Sequence, residues 1–177
     1  IANNVRIGII ESTYNAKSGN EWYDFKSFIE FKYFTSVTSL TSGMGTDYRG
    51  EFGNCSLLEE IELPTTITSI SITYPNTSIF DGCSSLKSID LSNVININGY
   101  SDIGFKNCSS LESVLYNDAV QNVLAHTNCS NLRMSSLPSG LTIIKGNTFR
   151  NCSKITITEL PATCNTIQIT VSGNYGA

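Results

Sequence analysis

The sequence predicts a solenoid of stacked coils, mainly β, forming one domain. Three observations predict it. The stretch at residues 80–95, FDGCSSLKSIDLSNVI, returns with changes along most of the 177-residue chain. The copies follow one another at spacings in the range of roughly 20–50 residues, which marks architectures whose single unit cannot bury its own apolar face. Near the centre of each copy apolar and polar residues alternate, the period of a strand with one buried side.

Six copies fit a common frame, numbered here as coils 1 to 6, in which the residue at zero is Phe25, Cys55, Cys83, Cys108, Cys129 and Cys152. The five cysteines lie 28, 25, 21 and 23 residues apart. The column at minus 3 is aromatic in character: Trp22, Phe52, Phe80, Phe105, His126, Phe149. Plus 3 reads Phe28, Leu58, Leu86, Leu111, Leu132, Ile155, and plus 8 reads Tyr33, Leu63, Leu91, Tyr116, Leu137, Leu160. Plus 12 gives Val37, Ile67, Ile95, Val120, Leu141, Cys164, and plus 15 gives Leu40, Ile70, Asn98, Val123, Ile144, Ile167.

Each coil is expected to supply a short strand from about plus 3 to plus 8, and copies on successive coils to pair in parallel about 4.8 Å apart. The chain must then turn, and Pro64, Pro138 and Pro161 fall where no further ladder donor is needed. The pair at plus 12 and plus 15 covers the opposite wall. Residues 1–21 fall outside the frame; Val5, Ile7 and Ile9 alternate as a strand would, so this segment is expected to cap coil 1. Terminal coils lack one neighbour and need such sealing, and Trp22, Phe25, Phe28, Phe31 and Tyr33 supply bulky rings for it. At the other end Ile167, Ile169 and Val171 alternate before a glycine-containing tail. The expected layout is a cap over 1–21, about six coils over 22–167, and a closing strand and tail over 168–177.

The pattern Phe-x-x-Cys-Ser-x-Leu-x-x-Ile-x-Leu-Pro resembles the leucine-rich repeat of the BspA type, found in bacterial surface proteins and in some parasitic protists. The stretch at 28–40, FIEFKYFTSVTSL, also resembles the opening coil of such proteins from gut Bacteroidales. The resemblance runs from about Trp22 to Ile167. It implies a right-handed leucine-rich repeat solenoid with a parallel β-sheet on its concave face, exported and displayed at the cell surface. For some relatives it implies adhesion to host matrix or other cells. The chain departs from the pattern at His126, at Asn98, and at plus 6 in coils 5 and 6, where Ser135 and Thr158 are polar. In those two coils Met134 and Ile157 are apolar one position earlier, which suggests a bulge or a shifted register.

With 11 basic and 15 acidic residues, a net charge of −4 and a pI near 4.9, the chain lacks the basic stripe of a nucleic-acid binder and the polybasic patch of a membrane-surface binder. No apolar run approaches the length of a membrane span. Six cysteines would ordinarily invite a disulfide framework, but five share one column and Cys164 replaces an aliphatic residue, so all six are expected as free, small, buried hydrophobes. Ladder side chains point the same way and not at one another.

Candidate binding residues fall in two groups. The linkers after plus 15 shorten along the chain, from 11 residues (41–51) to 9 (71–79) to 6 (99–104), and carry Tyr48, Tyr74 and Tyr100. Insertions at a fixed point of a repeat emerge on one edge, where these tyrosines either form a recognition patch or fold back over the coil edge. The outward strand positions hold Glu30, Glu59, Glu60, Glu62, Asp90, Glu112 and Glu159 against Lys32, Lys87 and Arg133. That strip either recognises a basic protein segment, or less favourably a divalent cation, or is a solvated strand face.

Catalytic machinery is hard to assemble here. His126 is the single histidine and stands in the phenylalanine column, so a triad lacks its base and a zinc site its usual ligands. No phosphate-cradling glycine motif is present, and the four Asn-Cys-Ser sequons at Asn54, Asn107, Asn128 and Asn151 come with the repeat. The expected function is non-catalytic recognition of a protein or glycan on a host or microbial surface, without cofactor or metal and without membrane insertion. The alternative is a spacer with no ligand of its own. An unpaired edge at either end of the sheet could also pair with another copy.

Overall fold

Successive passes of the chain lie in register in a computed structural model, which describes residues 25–42, 52–73, 79–99 and 104–168. The cap segment at 1–21 and most of the closing strand and tail lie outside the described residues. The first wall is built from β1 (Ser27–Phe28), β3 (Glu60–Ile61), β5 (Ser88–Leu91) and β7 (Ser113–Tyr116). The second wall holds β2 (Ser39–Ser42), β4 (Ser69–Ile72), β6 (Asn96–Gly99), β8 (Ile143–Ile144) and β9 (Thr166–Ile167), and a short 310 helix, Ile29–Tyr33, joins the walls in coil 1. All pairings are parallel: β1 with β3, β2 with β4 with β6, β5 with β7, β8 with β9. The result is a mainly β parallel solenoid.

In β5 and β7 the expected alternation holds: Ile89 and Leu91 lie opposite Val114 and Tyr116 and face inward, while Ser88, Asp90, Ser113 and Leu115 face out. Leu58, Leu86, Leu111 and Leu132 of the plus 3 column are all fully buried. Burying each contributes about 1.5–3 kcal/mol. Between the walls the chain turns with an N–H bonded back to the carbonyl three residues earlier: Ile67 to Pro64, Leu141 to Pro138, Cys164 to Pro161.

The turn that opens each coil explains three columns together. Asn54, Asn107, Asn128 and Asn151 sit at φ between 60° and 64°, and the equivalent residue in coil 3 is Gly82 at φ 77°. Only glycine and asparagine adopt this left-handed conformation routinely, so the asparagine before each cysteine is a backbone requirement. A Cβ at Gly82 would lie 2.5 Å from Asn54 Oδ1. Further along, the amides form a ladder: Asn128 Nδ2 donates to Asn107 Oδ1 at 2.7 Å, and Asn151 Nδ2 to Asn128 Oδ1 at 2.8 Å.

The turn also brings the cysteine N–H onto the carbonyl of the ring residue three positions back, as in Cys83 to Phe80 at 3.1 Å. The thiol of the next coil approaches the same carbonyl. Cys83 Sγ donates to Phe52 O (3.0 Å), Cys108 to Phe80 O (3.1 Å), Cys129 to Phe105 O (2.9 Å) and Cys152 to His126 O (2.9 Å). A thiol fits because it is small, apolar and still a weak donor. All six cysteines are free, but Cys152 and Cys164, expected as buried, are only partly buried because coil 6 has little packed over it among the described residues. Burial pushes the Cys55 thiol up to about 12, which leaves it an inert thiol.

Beneath the thiols runs a continuous stack of rings. Phe52 and Phe80 lie 5.4 Å apart, Phe80 and Phe105 5.1 Å, Phe105 and His126 5.5 Å, His126 and Phe149 5.6 Å, all within 10° of parallel. In coil 1 the rings of Phe28 and Phe31 stack at 5.1 Å, and Phe31 meets Phe52 at 5.9 Å.

Register differs from the counted frame in four coils. Phe28 pairs with Ile61, not with Leu58, while Leu40 still pairs with Ile70, so coil 1 carries three additional residues between its walls. The 310 helix takes them up, burying Phe31 and leaving Tyr33 73% exposed; Tyr33 is therefore no core residue. In coil 3 it is Ile97 that pairs with Ile70. That coil is one residue short: Val94 is buried where Ile95 was expected, Ile95 is 47% exposed, and Asn98 points outward without replacing an apolar residue. In coils 5 and 6 the first wall has no strand, Met134 is buried in place of Ser135, and Thr156 N–H bonds Met134 O, one residue out of step with Arg133 N–H to Glu112 O. The shifted register inferred from Met134 and Ile157 is thus present. Leu160 and Ile167, expected inside, are 47% and 56% exposed in the sixth coil.

Phe80→Ala removes the centre of the ring stack and is expected to cost about 3–5 kcal/mol, whereas Tyr33→Ala should stay within about 0.5 kcal/mol. Urea unfolding followed by far-UV circular dichroism distinguishes the two. Asn128→Ala forces an alanine into the left-handed region and breaks two ladder bonds, an expected loss of about 1–2 kcal/mol. Asn128→Gly should recover most of it.

Candidate ligand-binding face

The outer side of the first wall carries the acidic positions. Glu60 lies in β3 and Asp90 in β5, Glu59 and Glu112 immediately precede β3 and β7, and Glu62 immediately follows β3. Glu30 belongs to the first turn of the 310 helix and not to a strand. Glu159 is exposed in coil 6, apart from the others and outside any strand. Tyr48, Tyr74 and Tyr100 lie outside the described residues.

Backbone bonds run coil to coil along the plus 4 column: Glu59 N–H to Lys26 O, Lys87 to Glu59, Glu112 to Lys87, Arg133 to Glu112. The side chains in that column therefore read Lys26, Glu59, Lys87, Glu112, Arg133, with alternating sign. Lys26 belongs here because of the three-residue frame change in coil 1, which the counted frame hides. Like charges directly opposite on paired strands are unfavourable, and alternation turns each clash into an attraction.

One of these contacts is an ion pair, and a second ion pair, at Glu62 in the plus 7 column, lies beside it. Lys87 Nζ lies 2.7 Å from Glu59 Oε2, and Lys32 Nζ lies 2.8 Å from Glu62 Oε2. The bond to Lys87 holds the Glu59 carboxyl below its ordinary range, and Lys87 is raised by Glu59 first and then by Glu60 and Glu112. The bond from Glu62 likewise raises Lys32, whose Nζ also sits 5.5 Å from the centre of the Tyr33 ring. At coil 2, where acidic residues are densest, two of the three glutamates thus have a cation. Glu60 and Glu112 share the field of Lys87 without an ion pair among the described residues, and Asp90 Oδ1 accepts Ser92 N–H at 2.8 Å.

One neighbour on this face escaped the charge count. Leu115 pairs with Asp90 across β5 and β7 and is 57% exposed. Its signal was present, because plus 7 of coil 4 is an outward position by parity and a leucine stands there. The usable surface is thus mixed: Glu60, Asp90 and Glu112 beside an apolar Leu115, on strands whose inner sides are locked in the core. Among the described residues no three of His, Cys, Asp or Glu converge as metal ligands, and no helix is long and apolar enough to cross a membrane.

His126 is sealed away from solvent, 0% exposed. Leu124 N–H donates to the Tyr116 hydroxyl, which lies 3.2 Å from His126 Nε2. The hydroxyl accepts from Leu124 N–H while its own O–H is directed to Nε2. That arrangement, inferred from the network, leaves the proton on Nδ1, which has no partner. Burial lowers the imidazole to about 3, so the ring stays neutral and is out of reach of any substrate.

Lys87→Glu is expected to lower the melting temperature by placing a fourth acid among Glu59, Glu60 and Glu112, and most of the loss should return in roughly 1 M salt, where the Debye length is about 3 Å. A loss that salt does not reverse would mean the alternating ladder is not electrostatic in origin. Calorimetry at low and high salt measures both.

Comparison with known proteins bears on the whole arrangement. No curated protein matches significantly. The solved structure of a leucine rich cell surface protein from Faecalibacterium prausnitzii A2-165 is similar with a TM-score of 0.36 and 15% identity, over 82% of this chain and 63% of that one. The chain thus spans less than two thirds of that protein's length. The family model for the BspA type leucine rich repeat region matches residues 48–172 in six copies. The chain, with its cysteine, leucine and ring columns stacked coil on coil, belongs to the BspA type leucine rich repeat family.

Proposed function

We propose that this protein is a non-catalytic recognition module of the cell surface or extracellular space, and that it binds a protein segment along the outer side of its first wall. The observation that carries the reading is Asp90 lying directly across from exposed Leu115 on paired parallel strands, with Glu60 and Glu112 on the same wall. Carboxylates without an ion pair retain charge for a partner, and an exposed leucine beside them supplies apolar area. A basic, partly apolar, extended segment complements both. Sheet rigidity helps, since a preorganised surface loses little entropy on binding. Family membership supports a role in interaction, and the resemblance to surface proteins supports the location. Tyr48, Tyr74 and Tyr100 are the other candidate group.

A second reading has its own observation. The plus 4 column neutralises itself, as a sheet face does when it needs solubility and not a ligand, which favours a spacer.

Pull-down against host matrix proteins, together with a glycan array, separates these. The variant Glu60→Gln, Asp90→Asn, Glu112→Gln, Leu115→Ser is expected to lose at least about tenfold in affinity, equivalent to 1.4 kcal/mol, with an unchanged circular dichroism spectrum. Loss only in Tyr48→Ala, Tyr74→Ala, Tyr100→Ala would move the site to the loops. If the intact protein captures nothing from either panel, the spacer reading stands.

A further inference from the structure

A histidine set within a phenylalanine stack is a fully buried group that gains a proton in mildly acidic surroundings once its coil opens. Its ring lies between Phe105 at 5.5 Å and Phe149 at 5.6 Å, with Tyr116 edge-on at 6.0 Å. The titratable groups around it are Tyr116 from coil 4, Cys129 in its own turn, and Cys152 from coil 6, whose Sγ donates to the His126 carbonyl. All three are neutral in acid, and no carboxylate acts on the ring. Protonating Nε2 converts it from acceptor to donor, which deprives the Tyr116 O–H of its acceptor. The Nδ1–H stays orphaned as before. The faces of Phe105 and Phe149 attract a cation, yet they replace none of these hydrogen bonds.

The coils that hold this ring and follow it have the least strand pairing of the described part. Coils 5 and 6 contribute no strand to the first wall, slip by one residue against each other, and share only the two-residue pair β8 and β9 in the second. Each coil rests mainly on its neighbours, with Lys145 Nζ reaching past coil 4 to Gly99 O at 3.3 Å, so the solenoid can open from one end while the rest holds.

We infer that His126 makes coils 5 and 6 an acid-released segment, opening from the ring stack outward while coils 2 to 4 remain folded. This rests on the fold alone and holds whether or not the proposed ligand face is correct.

Linkage gives the window and the sign. In the fold His126 titrates near 3, against 6.5 when free, so the opened chain binds more protons between these values. Stability of the coils holding it is therefore present above 6.5 and lost as pH falls toward 3. Asp81 in coil 3 behaves oppositely. Burial raises its carboxyl from 3.8 to about 6, the largest of its causes, and its Oδ1 has no partner. The folded state binds the extra proton there, so coil 3 gains stability as pH falls through 6. Acid thus loosens coil 5 and tightens coil 3, which makes the opening local.

The test labels thiols with dithiodipyridine, which reacts in acid, at about pH 7.5 and about pH 4.5, and locates the sites by mass spectrometry. Two protonation constants of 6.5 and about 3 imply a roughly 100-fold larger opening equilibrium at the lower pH. Cys129 should therefore label roughly 100-fold faster relative to a model thiol, with Cys55 and Cys83 unchanged. His126→Phe, which completes the phenylalanine column, should abolish the difference. Simultaneous opening of Cys83 and Cys129, or an acid response retained in His126→Phe, overturns the inference. The wild-type chain gives an independent check, since its single histidine has one Cε1–H resonance. That signal should stay at its neutral position in the folded protein well below 6.5, and an ordinary titration near 6.5 in the folded state would overturn the inference even if the variant failed to fold.

Discussion

Stacking in register, with neighbouring passes about 4.8 Å apart, is the constraint on which every column depends. A residue in such a solenoid meets copies of itself on both sides, so a residue type persists only if it tolerates its own company. Phenylalanine does, as ring centres 5.1 to 5.6 Å apart along the stack show. Asparagine does because its amide both donates and accepts. Cysteine does by directing each thiol to a carbonyl one coil back instead of toward the next sulfur. Charge fails the same test, and the plus 4 column alternates sign accordingly.

This constraint also explains which parts were legible in the sequence. The inner columns repeat, and repetition can be counted, so the ring, cysteine and leucine columns emerge from the chain alone. Counting fails where the number of residues between the two walls changes. In coil 1 three additional residues form a 310 helix, and in coil 3 one is missing, so Ile97 takes the place assigned to Asn98. A change of phase and a substitution look alike when an apolar residue stands next door. Parity identified the outward acids correctly in coils 2 to 4. Their partners were hidden, because an ion pair such as Lys87 with Glu59 joins residues 28 apart and Lys26 entered the column only once the frame was corrected. Leu115 was readable by the same parity, but a search for charge passes over a leucine.

What remains on the outer face after self-neutralisation is small and specific. The backbone of β3, β5 and β7 is committed to the stack, and its inner side chains are buried or partly buried against the core, so the outward atoms are held without further cost in order. Recognition on such a surface comes from the positions that break the repeat. Asp90 followed by Leu115 in one column breaks it most clearly, and a surface that repeated perfectly would discriminate poorly between registers of a bound segment.

Two departures from the repeat turn out to be one feature. Tyr116 stands where neighbouring coils carry leucine, and His126 where they carry phenylalanine. Either alone would be costly, since a buried polar atom without a partner loses about 1–3 kcal/mol. Together the hydroxyl and Nε2 satisfy each other, with Leu124 N–H completing the set, and only Nδ1 remains unpaired. A phenylalanine and a leucine at these positions would leave the Leu124 N–H to find another acceptor and would have no proton to exchange. The pair therefore does something for the solenoid that its apolar equivalent cannot: it makes the junction between coils 4 and 5 sensitive to protons, at the place where the strands of the first wall end.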